Sequence, residues 1–251
     1  MSASTGRTWT RRAQPLLGTL VEIGVSGRDA DRQAGVAAAF AVIREAQACL
    51  SRFEPDSDIA TFNALRCGQR IPVRAITQQV LAAAGELQAA TAGAFDISLG
   101  SAPEGWALRG AELRKLDDAA RLDLGGIGKG HAVDLAVQAL MAHGVQAGWV
   151  NAGGDLRAFG DVDAPVRLRD EAIGGVRAFA TLRDGAFATS HFGPDSRSRL
   201  ATEPATAPFG AHVSVAAPLC LWADALTKVV AFSGDTSHPL LARFDALAWL
   251  H

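Results

Sequence analysis

The sequence predicts an α+β fold of mixed sheets with packed helices, one compact unit of two interleaved lobes. Helical spacing dominates the first half of the chain and short alternating segments dominate the second. Neither an internal repeat nor a linker composition divides the 251 residues. That length, with 49% hydrophobic and 20% charged residues, is ordinary for a globular domain with a sizeable core.

Each element follows from its pattern. Residues 18–25 alternate, with Thr19, Val21, Ile23 and Val25 on one face, and read as a strand. The domain is expected to span residues 15–251, with residues 1–14 a flexible, polar N-terminal segment. Residues 34–50 place Val36, Phe40, Ile43 and Leu50 at helical spacing. Asp58 is the expected cap of a short helix over 59–65, and Thr77 that of a longer one over 77–91. Residues 101–120 show no clear period, and residues 121–124 read as a short strand. Val133, Ala136, Val137 and Leu140 then recur at i, i+3, i+4 and i+7, predicting a helix over 130–143. Strands follow around 149–151, 166–168, 175–181, 186–189 and 212–216. Residues 194–209 are polar, carry three prolines and read as a loop. A helix over 222–232 precedes a last helix and strand within 240–250.

The chemistry centres on Asp123-Leu124-Gly125-Gly126-Ile127-Gly128-Lys129-Gly130, just ahead of a helix. Glycines let backbone approach a ligand where no Cβ fits, and a helix N-terminus presents free N–H groups to an anion. Lys129 adds a positive charge, so a phosphate-bearing ligand is the expectation. A tight strand-to-helix turn is the plainer alternative. The run is not a P-loop, because Gly130 follows Lys129 where Ser or Thr is needed. It is not a dinucleotide fingerprint, because His131 stands at the last glycine position. Asp123 lies between apolar neighbours and needs a partner.

Bulk properties exclude other classes. A net charge of −2 with no basic block argues against a nucleic-acid surface. No run approaches the roughly 18 apolar residues of a membrane span. No signal peptide or lipid-modified cysteine is read. The three cysteines are scattered, without a C-x-x-C pair, which favours a reducing, cytoplasmic setting over a disulfide or zinc framework.

Several stretches together resemble the FAD:protein FMN transferase family. Leu17-Gly18-Thr19 is similar to its Met-Gly-Thr opening. Leu50-Ser51-Arg52-Phe53, Asp56-Ser57 and Asn63 are similar to its Leu-Ser-x-Tyr, Asp-Ser and Asn series. Ala94-Phe95-Asp96 resembles its Phe-Asp loop, and residues 123–134 resemble Asp-Leu-Gly-Gly-Ile-Ala-Lys-Gly-Tyr-Ala-Val-Asp. Ala152-Gly153-Gly154-Asp155, Thr189-Ser190 and Ala223-Asp224-Ala225-Leu226 follow in order. The resemblance implies an enzyme that moves FMN from FAD to a Thr or Ser hydroxyl of a flavoprotein acceptor, with Mg²⁺. It implies FAD contacts at Leu17, Phe53, Ala94, Phe95, Asp96, Asp123 and Lys129, and a role near the ligand for Gly153, Gly154 and Asp155. It puts the metal at Gly126, Asp224 and the neighbouring Thr227.

Two departures bear on catalysis. Leu200 stands where the family carries a histidine base, with His191 a candidate replacement. Lys228 stands where the family has threonine four residues after its aspartate. On a helix Asp224 and Lys228 share a face, so the ammonium can sit where Mg²⁺ would, or the pair can be an ordinary surface one. The alternative function is therefore a non-catalytic flavin-binding protein on the same scaffold.

Overall fold

A computed structural model describes residues 8–169, 174–192, 200 and 212–251. In chain order the elements are β1 (Trp9–Leu16), β2 (Thr19–Ser26), α1 (Asp29–Leu50), α2 (Asp58–Ala64), β3 (Arg70–Pro72) and α3 (Ala75–Ala90). The chain continues with β4 (Trp106–Arg109), β5 (Glu112–Lys115), α4 (Gly128–Ala142), β6 (Ala147–Ala152), β7 (Asp155–Phe159) and β8 (Ala164–Arg169). It ends with β9 (Val176–Leu182), β10 (Gly185–His191), β11 (His212–Ala217), α5 (Cys220–Ser233), α6 (Pro239–Arg243) and β12 (Leu247–Leu250).

An antiparallel sheet in the order β1-β2-β6-β7-β10-β11-β12 forms the base. Helices α4 and α5 pack on it, and α1 packs along α4. The strand alternation explains this layer. Val21, Ile23 and Val25 point inward and are fully buried in the same core as Val133, Ala136, Val137 and Leu140 of the α4 stripe. A three-stranded sheet, β3-β5-β4, and the β8-β9 ribbon are separate sheets, the ribbon packing Val166, Leu168 and Phe179 on Phe187 and Trp249 of the base. No described helix is long and apolar enough to cross a membrane.

Four expectations are corrected here. The ordered domain begins before residue 15, because β1 pairs with β2 from Trp9↔Ser26 onward. Residues 121–124 make no strand. Leu122 N–H donates to Asn63 Oδ1 at 2.7 Å, and Asn63 Nδ2 donates to Leu122 O at 3.0 Å, so one side chain replaces a strand partner. Asp58 does not cap α2; Ser57 does, accepting from Ala60 N–H at 2.9 Å. Instead Asp58 accepts from Arg74 N–H at 2.9 Å and from the Thr77 hydroxyl, fastening the start of α3, which begins at Ala75 rather than at Thr77. The unperiodic stretch 101–120 holds the β4-β5 hairpin, two strands of only four residues each, too short to show a period. The predicted loop at 194–209 lies outside the described residues, apart from Leu200, which packs against the main core.

The two helices that matter most meet at their N-termini. Neither α4 nor α5 has a side-chain cap of its own. Asp134 of α4 accepts from Cys220 N–H at 3.0 Å and Leu221 N–H at 2.9 Å, while Asp224 of α5 accepts from Gly130 N–H at 3.3 Å. Each helix thus satisfies orphan donors of the other. The approach demands glycine at 130: a Cβ there would stand 2.7 Å from the Cys220 carbonyl carbon and 2.9 Å from Leu221 N. Gly130→Ala is expected to destabilise the fold by about 2 kcal/mol or more, read as a lower urea midpoint at unchanged slope.

His131, in the same first turn, is buried with Nε2 unpartnered. Burial pushes its pKa down from 6.5 to about 4. The folded state therefore favours the neutral ring. Its contribution is intact above pH 6.5 and is lost as pH falls through 6.5 toward 4, a change worth about 3 kcal/mol. His131→Phe is expected to flatten the fall in melting temperature between neutral pH and about pH 4.5. An unchanged pH profile in that variant would refute the assignment.

Candidate active site at the α4–α5 seam

The glycine loop spans two neighbouring regions. On one side, Asp123 Oδ1 accepts from Gly125 N–H at 2.8 Å, and its Oδ2 lies 3.0 Å from Arg52 Nε. The Arg52 guanidinium stands 4.2 Å from the centre of the Phe53 ring, and Phe53 is 79% exposed. A cleft of about 330 Å³ opens here, lined by Arg52, Asn63, Ser98, Leu99, Arg121 and Asp123. An exposed aromatic ring beside a polar cleft is suited to a planar, partly polar ligand.

The loop before it is held by its own carboxylate. Asp96 accepts from Ser98 N–H and the Ser98 hydroxyl, each at 2.7 Å, and from Gly100 N–H at 2.9 Å. These bonds fix Ser98 and Leu99, which line the cleft. Ala94 and Phe95 precede Asp96, with Phe95 N–H donating to Thr91 Oγ1 at 3.0 Å and its ring buried. Leu17 sits in the β1–β2 turn at φ +55°, with its N–H donating to Gln47 Oε1 at 2.7 Å.

On the other side of the loop, four charges converge. Lys129 pairs with Asp155, and its Nζ lies 3.6 Å from Asp224 Oδ2. Lys228 pairs with Asp224 Oδ1, and its Nζ also donates to the Asp224 backbone carbonyl at 2.9 Å and to Ser190 Oγ at 3.2 Å. Asp155 follows the turn of Gly153 and Gly154, whose backbone is fixed by Gly154 N–H donating to Asn151 Oδ1 at 3.0 Å. Burial alone would push the Asp224 carboxyl up, but Lys129 and Lys228 outweigh it and hold it below the ordinary range. Burial alone would lower Lys129, but Asp155 and Asp224 outweigh it and hold the ammonium above its ordinary value. Burial, and next the charge of Asp224, push Asp155 up.

Of the residues singled out from sequence, Gly126, Lys129, Asp155, Asp224, Thr227 and Lys228 are brought together. The residues expected to hold Mg²⁺ do not fit it. The Lys228 stem runs across Gly126, with Cε 3.1 Å from where a Cβ would stand. Its ammonium already occupies Asp224. The Thr227 hydroxyl is taken by Ser190 Oγ at 2.8 Å and the Asp224 carbonyl at 2.7 Å. Mg²⁺ needs oxygen ligands, and an ammonium offers only donors. Among the described residues no three His, Cys, Asp or Glu side chains gather as a metal site.

His191 is not at this seam. Along β10 the side chains alternate: Ser190 faces Thr227 and Lys228. Phe187, Thr189 and His191 face the other way, toward Phe179, Ser214 and His212. His191 is therefore poorly placed as a replacement base, and the period-2 pattern of a strand was the signal for this. Sequence reasoning missed Ser190 as an acceptor and Arg52 as the partner of Asp123. Both lie inside motifs already picked out, but their partners are distant in sequence.

The ApbE family model matches residues 17–115 and 106–249. An FAD:protein FMN transferase of Rhodobacter capsulatus is 37% identical over 81 residues, 31% of this chain. The aligned stretch spans 16% of that relative's length. The apo flavinyl transferase ApbE of Pseudomonas stutzeri superposes with a TM-score of 0.82 at 22% identity, covering 97% of this chain and 90% of the other. The flavin transferase ApbE of Vibrio cholerae does so at 0.83 and 18% identity, covering 97% and 93%. These structures share the fold, and with a family model matched along almost all of its length the chain belongs to the ApbE family.

Proposed function

We propose that this protein takes FAD as donor and transfers its FMN moiety to a threonine or serine hydroxyl of a flavoprotein acceptor. The observation that carries the reading is Lys129 at the glycine-lined N-terminus of α4, a third exposed and beside the buried acids Asp155 and Asp224. FAD has the matching shape, a flat ring system joined to a pyrophosphate. The relative named for FAD:protein FMN transfer and the structures named as flavin transferases support it.

In this reading the isoalloxazine lies near Phe53, Leu17 and the Ala94-Phe95-Asp96 rim, with Asp123 and Arg52 at the edge of the cleft. The pyrophosphate lies against Lys129 and the loop N–H groups, with Gly154 leaving room nearby and Gly153 packed on Thr19. The acceptor hydroxyl oxygen forms a bond to the FMN phosphorus. The bond from that phosphorus to the bridging oxygen breaks, AMP leaves with the electron pair, and the hydroxyl proton passes to solvent. Such transfer is served mainly by positioning and charge neutralisation. The reading includes a cytoplasmic setting, supported by three free cysteines, and uses neither a nucleic-acid nor a membrane surface.

Two measurements test it. Purified protein incubated with FAD and a threonine-bearing flavoprotein domain is expected to release AMP and leave the acceptor covalently yellow. Lys129→Gln is expected to weaken FAD binding about tenfold or more in a fluorescence titration, with its fold intact by circular dichroism. Flavin bound without AMP release would leave a binding protein. FAD affinity unaffected by Lys129→Gln would remove the pyrophosphate assignment.

A further inference from the structure

We propose that Lys228 is a built-in cation that takes the place of a divalent metal at Asp224, so that this protein grips its pyrophosphate ligand without magnesium. The proposal deepens the flavin reading above and rests on it for the identity of the ligand.

The lysine is not a loose side chain that a metal could brush aside. It lies one turn after Asp224 on α5 and is buried. An ammonium has three donors, and all three are accepted: by Asp224 Oδ1, by the Asp224 carbonyl and by Ser190 Oγ. Gly126 supplies the space for the stem, and a Cβ there would press on it. Ser190 is itself held by Thr227, so the cage around the ammonium is fixed by β10 and α5 together. A divalent ion arriving at Asp224 would have to expel a buried charge, and would then face Lys129 3.6 Å from the same carboxylate.

The charges give the substitution its meaning. Two lysines balance Asp155 and Asp224 in one buried cluster. With its donors all used, Lys228 does not reach the ligand; it neutralises Asp224. That leaves Lys129, the more exposed of the two ammoniums, to meet an incoming anion. Without Lys228 the cluster would carry one net negative charge and would repel a pyrophosphate unless a metal restored the balance. Lys228 is thus a charge-balancing and positioning residue.

The test uses the full chain, stripped with EDTA, and reads Mn²⁺ uptake by electron paramagnetic resonance and FAD affinity by fluorescence. The native protein is expected to take up no Mn²⁺ and to bind FAD equally in EDTA and in excess Mg²⁺. Lys228→Thr is expected to take up Mn²⁺ and to bind FAD about tenfold more tightly with Mg²⁺ than without. Lys228→Met keeps the stem against Gly126 and guards against a folding defect. It is expected to take up no metal and to lose about tenfold in FAD affinity whether or not Mg²⁺ is present. Mn²⁺ uptake by the native protein that Asp224→Asn abolishes would overturn the proposal. So would native FAD binding tightened tenfold by Mg²⁺, or a folded Lys228→Thr that takes up no metal. If no form binds FAD under any condition the flavin reading falls. The Mn²⁺ measurements then still decide whether Lys228 excludes a metal.

Discussion

The N-terminal ends of α4 and α5 lie against each other, with Gly130 on the Cys220 backbone, and the site depends on that contact. Two helix N-termini in one place bring unpaired N–H groups and two positive dipole ends together. Ordinary caps would have closed each end separately. Here the capping carboxylates are exchanged, Asp134 serving α5 and Asp224 serving α4. The exchange ties the helices in register and gives both buried carboxylates backbone N–H partners. Asp134 gains the Arg157 guanidinium at 2.7 Å as well, so its charge is compensated from the sheet side. Asp224 has no such strand partner and draws on lysines instead.

From this follows the division of labour among the charges. Lys228 is held from three directions and has almost no exposure, whereas Lys129 is a third exposed. Removing both acids would leave two buried ammoniums in mutual repulsion. Removing both lysines would leave two carboxylates facing an anionic ligand. The balanced set is the arrangement in which the buried charges offset one another while Lys129 still presents a cation to the proposed ligand.

How much of this was legible in the sequence depends on the range of the interaction. The glycine run, the α4 stripe and the i,i+4 relation of Asp224 to Lys228 are local patterns, and they predicted a helix starting in the glycine loop and a lysine beside Asp224. The β2 alternation named the residues that enter the core. What could not be read is what needs two distant segments: Asn63 standing in for a strand beside Leu122, Asp58 fastening α3, or the Lys228 stem lying over Gly126. The short β4-β5 hairpin escaped because four residues a strand give no period. His191 was misjudged for a different reason. Its neighbour Ser190 belongs to the site, and adjacent strand residues point to opposite faces.

The Gly126 contact also changes what the glycine loop means. From sequence, four glycines ahead of a helix suggest backbone moulded around a ligand. In the structure two of the four glycines are small for reasons of packing. Gly130 is small because another helix backbone lies against it, and Gly126 is small because a lysine stem does. Neither is explained by a ligand alone. The loop is therefore shaped first by the α4–α5 contact and by Lys228, and the proposed anion site is what that shape leaves open around Lys129. A binding loop moulded only by its ligand would tolerate a lysine anywhere nearby. This one has a lysine built into its floor, so the identity of residue 228 and the size of residue 126 constrain each other.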